Sequence, residues 1–291
     1  MIIVKLMGGL GNQMFQYAAA KSLACMHGVE VRVDLSYLNA DSKGSYTPRR
    51  YDLSIFKANV KIAEQSDLKP YIKRYTKLSR LLRREMPSLF KNLYVVERGI
   101  KYHEAFTKFP KNTYLDGFWQ SEKYFENYRE QIKSDFTISK PLPIELEDIF
   151  NKIKSTNSVS IHVRRGDYVT LKSANDFHGL STLEYYQTSI DIISEKCKDL
   201  ELFIFSDDIE WCRQRFDFKL PKHFIHHTYE ACWDMFLMSN CKHNIIANSS
   251  FSWWGAWLNQ NPNKIVIAPK NWFVDKTLNT DDLIPREWIR L

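Results

Sequence analysis

The sequence predicts an α/β protein of two doubly wound, Rossmann-like domains facing a central cleft. Three observations predict it. A β-branched run at 2–6 enters a glycine loop, Gly8-Gly9-Leu10-Gly11-Asn12-Gln13, which opens an alanine-rich helical stretch. From residue 158 onward, five apolar strand signals alternate with helical stretches. Each cluster of chemistry-bearing residues falls just after a strand, and in open α/β sheets ligands bind beyond the carboxyl ends of the strands.

The elements follow in order. After the helix to about His27, Val29 to Asp34 alternates and reads as a second strand, completing a β-loop-α-β unit. Residues 41–150 are less regular. Within them, Tyr71 to Glu85 reads as a helix carrying Lys73, Arg74, Lys77, Arg80, Arg83 and Arg84, with Tyr71, Tyr75, Leu78 and Leu82 at helical spacing on one face. A solvated basic helix packed through that face is the first reading, and peripheral membrane contact through 71–84 is the sharper one. Pro141-Leu142-Pro143 breaks the chain, so the domains are drawn as 1–150 and 151–291. The second domain has strands at 158–163, 201–205, 223–226, 243–247 and 264–268. Helices at about 182–197, 208–217, 230–241 and 250–260 lie between them.

Composition excludes several classes. A chain of 291 residues with 44% hydrophobic content can bury two ordinary cores. The net charge of +7 comes without a nucleic-acid-binding motif, so no nucleic-acid partner is expected. It suits an enzyme that attracts anionic substrates or works near an anionic membrane. Five widely spaced cysteines without Cys-x-x-Cys indicate neither zinc nor a disulfide framework. The short apolar start is no signal-peptide core, and no stretch could span a bilayer. A cytoplasmic protein, with peripheral contact at the inner membrane face as the alternative, is the expectation.

The glycine loop resembles the start of a dinucleotide fingerprint, with Asp34 where a ribose-binding acid would stand, but Met14 occupies the place of the third glycine. The loop still brings backbone amides close to a ligand, and Asn12 either binds there or caps the helix. The second cluster is His162-Val163-Arg164-Arg165-Gly166-Asp167-Tyr168. Guanidinium forks at a strand end suit a phosphate. Strand alternation puts Arg164 and Arg165 on opposite faces, so Arg164 is assigned to the ligand and Arg165 to bracing, with Asp167 as its partner. Third, Asp207 after strand 201–205 can accept two N–H donors from a guanine edge or hold a ribose, while Ser206 or Asp207 can instead cap the next helix. Fourth, Asn248-Ser249-Ser250-Phe251 opens a helix whose Trp253, Trp254 and Trp257 read as its packed face. There is no Asp-x-Asp and no metal-spaced His/carboxylate set; His226 and His227 are read as structural.

Residues 8–18, 162–168, 205–208 and 249–258, together with Leu115 to Phe125, closely resemble the α-1,2-fucosyltransferases of glycosyltransferase family eleven. The resemblance implies a GT-B fold and GDP-β-L-fucose as donor. It implies inversion onto the 2-hydroxyl of a terminal galactose, on an oligosaccharide or lipid-linked glycan of surface-glycan biosynthesis, with no metal or other cofactor. It implies guanine contacts from His162 and Asp207. Phosphate contacts would come from Arg164, Ser249 and Ser250, with Arg165 and Phe251 in the same donor site. The sugar and acceptor side would hold Gly9, Asn12, Asp116, Trp119, Glu122 and His178. Asp167 is the nominal base, with bracing of Arg165 its competing role; Glu122, Asp116 and His178 are the other candidates, and the absence of any dedicated base is the further alternative. The alternatives are a fucosyltransferase of other linkage, transfer of another nucleotide sugar, an NAD-dependent oxidoreductase through Asp34, and a non-catalytic sugar-nucleotide sensor.

Overall fold

A computed structural model describes residues 1–39, 49–71, 86, 91–166, 169, 176–177 and 179–291. The basic stretch 72–84 therefore lies outside the described residues, as do Asp167, Tyr168 and His178. The chain forms two compact units, 1–139 with 279–283, and 140–278 with 284–291.

The first unit is a five-stranded parallel sheet in the order β3-β2-β1-β5-β4. Its strands are β1 (Ile2–Lys5), β2 (Val31–Asp34), β3 (Lys61–Ile62), β4 (Leu93–Val96) and β5 (Thr113–Asp116). Helix α1 (Leu10–His27) is buried along most of its length, and Ala18, Ala19 and Ala20 have no exposed surface. Such small side chains let a helix lie close to a sheet. Gly28, at φ +61°, ends α1 in the left-handed region and donates to the carbonyls of Ala24 and Cys25. Helices α2 (Gln65–Leu68) and α3 (Arg129–Asp135) complete the unit with several 3-10 turns.

The second unit is a six-stranded parallel sheet in the order β11-β10-β9-β6-β7-β8. The strands are β6 (Asn157–Val163), β7 (Leu200–Ser206), β8 (Lys222–Ile225), β9 (His243–Ile245), β10 (Val266–Ala268) and β11 (Ile289–Arg290). Its helices are α4 (Glu147–Ser155), α5 (Leu183–Lys196), α6 (Ile209–Arg215), α7 (Cys232–Asn240) and α8 (Ser250–Leu258). Central β6 is buried on both faces from Ser158 to Val163, which is why it reads as an apolar run rather than an alternating one. Trp253, Trp254 and Trp257 are fully buried and pack on one another at 5.0–6.1 Å between ring centroids. Gly255 lets α8 approach α7, since a Cβ there would stand 3.1 Å from Met238.

The observed division corrects the expected boundary at 150. Phe150 of α4 stacks on Phe236 of α7 at 5.4 Å, and Ile153 is fully buried, so 140–150 belong to the second unit. The segment 279–283 belongs to the first, where Asp282 accepts the Tyr102 N–H at 2.8 Å and pairs with Lys123 at 2.5 Å. None of the five cysteines forms a disulfide, and no described helix is long and apolar enough to cross a membrane.

Candidate functional sites at the two sheet ends

Each parallel sheet has a central strand with earlier- and later-added neighbours laid down on opposite sides of it, and the carboxyl end of such a strand is where α/β proteins bind ligands. In the second unit that strand is β6, flanked by β7 and β9. Its end delivers the arginine motif between Ser206-Asp207-Asp208 after β7 and Asn248-Ser249-Ser250 after β9.

The carboxylates organise the arginines. Asp207 Oδ2 pairs with Arg164 Nη1 at 2.7 Å, and Asp207 Oδ1 accepts the Arg165 backbone N–H at 2.8 Å. Asp208 Oδ2 accepts from Arg165 Nε at 3.0 Å, while the Arg165 guanidinium lies 3.9 Å from the Trp211 ring. Arg165 is thus held by a charge and an aromatic face, as the bracing reading requires. Its place among the donor contacts is corrected for that reason, and its brace is Asp208 with Trp211. Asp207, expected to face guanine, instead aims Arg164 and ties down the turn. The helix cap is Asp208, whose Oδ1 accepts the Trp211 N–H at 3.2 Å; neither Ser206 nor Asp207 caps α6. Gly166 is required sterically: a Cβ there would lie 2.5 Å from Asp207 Oδ2.

His162 is buried with its ring 5.6 Å from that of Phe251. Burial pushes the imidazole down to about 4, with Asp207 opposing and Arg164 reinforcing the shift. Its Nδ1 is buried and has no hydrogen-bond partner among the described residues. Ser249 caps α8, its Oγ accepting the Phe251 N–H at 3.3 Å. Ser250 follows at the first helical position, so His162, Arg164, Ser249, Ser250 and Phe251 lie around one sheet end. His227 is structural, as expected: it hydrogen-bonds Asp234 at 2.9 Å and accepts the Tyr229 N–H at 3.2 Å.

In the first unit the central strand is β1, flanked by β2 and β5. Gly8, at φ +74°, is the demanding glycine of its loop, because a Cβ there would stand 2.4 Å from Asn12 Nδ2. Gly9 is the N-cap of α1, so Asn12 is not. Asn12 Oδ1 instead accepts from Gln120 Nε2 at 2.8 Å, joining the glycine loop to the segment after β5. Gln13 is spent on the fold, holding the carbonyls of Gly8 and Arg50 and the Asp52 N–H.

The acids here divide. Asp34 is buried and accepts from Tyr114 Oη at 2.5 Å and from both the N–H and Oγ of Ser36, so it is not presented to a ribose. Glu122 pairs with Arg129 at 2.6 Å, so one of its carboxylate oxygens is engaged. Asp116 Oδ2 accepts from Tyr94 Oη at 2.5 Å and pairs with Lys5 at 3.3 Å. Trp119, expected at the sugar side, is fully buried against Phe106 and Tyr124 and belongs to the core. Glu97, which belongs to none of the sequence motifs, accepts the N–H groups of Phe118 and Trp119 at 2.6 and 2.9 Å. Burial raises its carboxyl, against the lowering by those two bonds. The signal available was a carboxylate just after a short apolar run.

With fold and sites in view, the chain belongs to glycosyl transferase family 11, whose family model matches residues 1–291. It is a glycosyltransferase. It is 38% identical over 304 residues to an alpha-1,2-colitosyltransferase of Escherichia coli, covering 100% of this chain and 98% of that one. To the O-antigen biosynthesis glycosyltransferase WbnK of Escherichia coli it is 34% identical over 304 residues, covering 98% and 99%. Among solved structures, a mutant of Arabidopsis thaliana FUT1 in complex with GDP aligns with a TM-score of 0.53 at 10% identity, over 95% of this chain and 72% of that one. The fold class is α/β of the GT-B type.

Proposed function

We propose that the enzyme transfers L-fucose from GDP-β-L-fucose to the 2-hydroxyl of a terminal galactose, with inversion and without a metal. The observation that carries this reading is Arg164, aimed by Asp207 at the end of β6, on the strand that also carries His162 with its buried, unpartnered Nδ1. A nucleoside diphosphate sugar needs both a fixed positive charge for the departing phosphate and a polar contact for the base. As the bond from fucose C1 to the β-phosphate oxygen breaks, negative charge grows on that phosphate. Arg164 and the amides at the start of α8, including Ser250, meet it. The galactose oxygen forms the new bond from the opposite face and gives up its proton. Among the candidate bases, Asp116 has a carboxylate oxygen, Oδ1, that accepts no hydrogen bond from the described residues. In this reading the reaction takes place in the cytoplasm, on a glycan or lipid-linked acceptor of surface-glycan assembly.

A second reading has its own support. The 38% relative is named a colitosyltransferase, and colitose is the 3-deoxy counterpart of fucose, so the same site could take GDP-colitose. The test is GDP release from each donor, with and without lactose and in the presence of a chelator, followed by linkage analysis of the product. Lactose-dependent release from GDP-fucose with an α-1,2 product supports the first reading. Preference for GDP-colitose moves the assignment to the second, and release from neither donor removes both.

A further inference from the structure

The residue that stands out at the end of β5 is Phe118, not its neighbour Trp119. Single exposed apolar residues are ordinary on protein surfaces. This one is held out by a specific device. Trp119 sits at φ +55°, a left-handed conformation that a bulky L-residue rarely adopts. Glu97 fixes that turn by accepting both the Phe118 and Trp119 N–H groups on one oxygen, Oε2. Gly117 makes room, since a Cβ there would lie 2.3 Å from the Glu97 Cβ. The result is that Trp119 turns wholly inward while Phe118 remains 44% exposed.

The surroundings are polar and ordered. Two residues before Phe118, Asp116 is tied through Oδ2 to Lys5 and Tyr94, and its Oδ1 accepts no hydrogen bond from the described residues. The Tyr94 ring is itself stacked on Tyr114 at 4.9 Å. Lys5 lies 5.8 Å from the ring of Tyr37, a second exposed aromatic at the end of β2. An exposed aromatic residue two positions along the chain from an oriented carboxylate suits a hexopyranose, which has one C–H-rich face and a rim of hydroxyls.

We propose that Phe118 is the stacking platform for the acceptor's terminal sugar, with Asp116 Oδ1 accepting from one of its hydroxyls and Glu97 acting as the positioning residue of the platform. The inference rests on the transferase reading for the acceptor's identity, and its test includes direct binding so that the two can fail separately. Lactose binding by saturation-transfer NMR and lactose KM are measured for the wild type, Phe118→Ala and Phe118→Tyr. The expected result is about tenfold weaker lactose binding and a similar rise in lactose KM for Phe118→Ala, with Phe118→Tyr near wild type. The KM for GDP-fucose is the control that separates an acceptor platform from a general loss of the site. Phe118 is exposed, so neither substitution opens the core. Unchanged lactose affinity in Phe118→Ala, or an equal rise in the donor KM, overturns the platform and leaves the transferase reading standing. Lactose binding that depends on Phe118, in an enzyme that releases no GDP from GDP-fucose, keeps the platform and overturns the donor.

Discussion

The two sheet ends solve different problems with similar parts. At the end of β6, the charged residues described are committed to one another: Asp207 to Arg164, and Asp208 to Arg165. At the end of β5 the charged groups are also engaged, Lys5 with Asp116 and Glu97 with two amides, yet the arrangement leaves an aromatic face exposed. The first holds guanidinium donors in place, and their orientation is set in advance. Donors that need no reorganisation as charge develops are the most effective way to stabilise a leaving phosphate. The second builds a surface, and it uses backbone strain where the first uses ion pairs. Substitutions should therefore fall into two groups, with turnover lost at β6 and acceptor affinity lost at β5.

The largest effect expected is at Arg164. Arg164→Ala should reduce kcat roughly a hundredfold or more, as removal of a principal anion-stabilising donor does elsewhere. Steady-state kinetics at saturating lactose would show it, and near-normal turnover would remove Arg164 from the phosphate site. Gly166→Ala should follow at about tenfold to a hundredfold, the equivalent of losing one charge-assisted hydrogen bond. The new methyl group would press on Asp207 Oδ2 and so disturb the carboxylate that aims Arg164. If Gly166→Ala raises lactose KM while leaving kcat intact, the contrast between the two ends is wrong.

Much of the β6 end was legible in the sequence, for a physical reason. Strands buried on both faces write themselves as apolar runs, and β6 and β7, each of seven residues, were located to within a residue or so. The arginines and Asp207 are adjacent to those runs, so the motif and its setting were read together. Less of the β5 end was legible: the segment Leu115 to Phe125 stands out in the sequence, but not Glu97 or the exposure of Phe118. β4 and β5 have four residues each, too few for a period to register. Glu97 stabilises a turn some twenty residues downstream. The choice between Phe118 and Trp119 depends on a left-handed tryptophan, which side-chain sterics argue against and only the surrounding packing imposes. The error of one position between Asp207 and Asp208 as helix cap has a similar origin, because either residue type could cap and only the turn's path decides.

A smaller and more diagnostic effect concerns His162. Its imidazole is held near 4 in the folded protein, against an ordinary value of 6.5, because burial disfavours the charged form. The unfolded chain therefore binds more protons between those values, and stability falls as pH is lowered from 6.5 towards 4; above 6.5 it is complete. His227, raised by Asp234, acts with the opposite sign and loses its contribution as pH rises. Comparing urea midpoints at pH 7 and pH 5 for wild type and His162→Asn isolates the first group. The wild type should lose more stability than the variant over that interval. Equal losses would mean that the acid sensitivity arises elsewhere and that His162 is not held neutral by its burial.

The smallest effect expected is at Glu122, and it separates a structural ion pair from a proton acceptor. Glu122 pairs with Arg129 at 2.6 Å, and both groups retain contact with solvent, with side-chain exposures of 15% and 37%. Such pairs contribute about 0.2–1 kcal/mol. Glu122→Gln keeps the shape and a hydrogen-bond acceptor for Arg129, so stability should change by no more than that amount and turnover by less than about twofold. The dependence of kcat on pH carries the distinction. If Glu122 were the base, its removal would abolish the acid limb of the profile. If it only anchors Arg129, the limb remains with its midpoint unmoved. A lost limb with the fold intact would place the proton acceptor at Glu122 and detach it from Asp116, one residue of the strand end that carries Phe118.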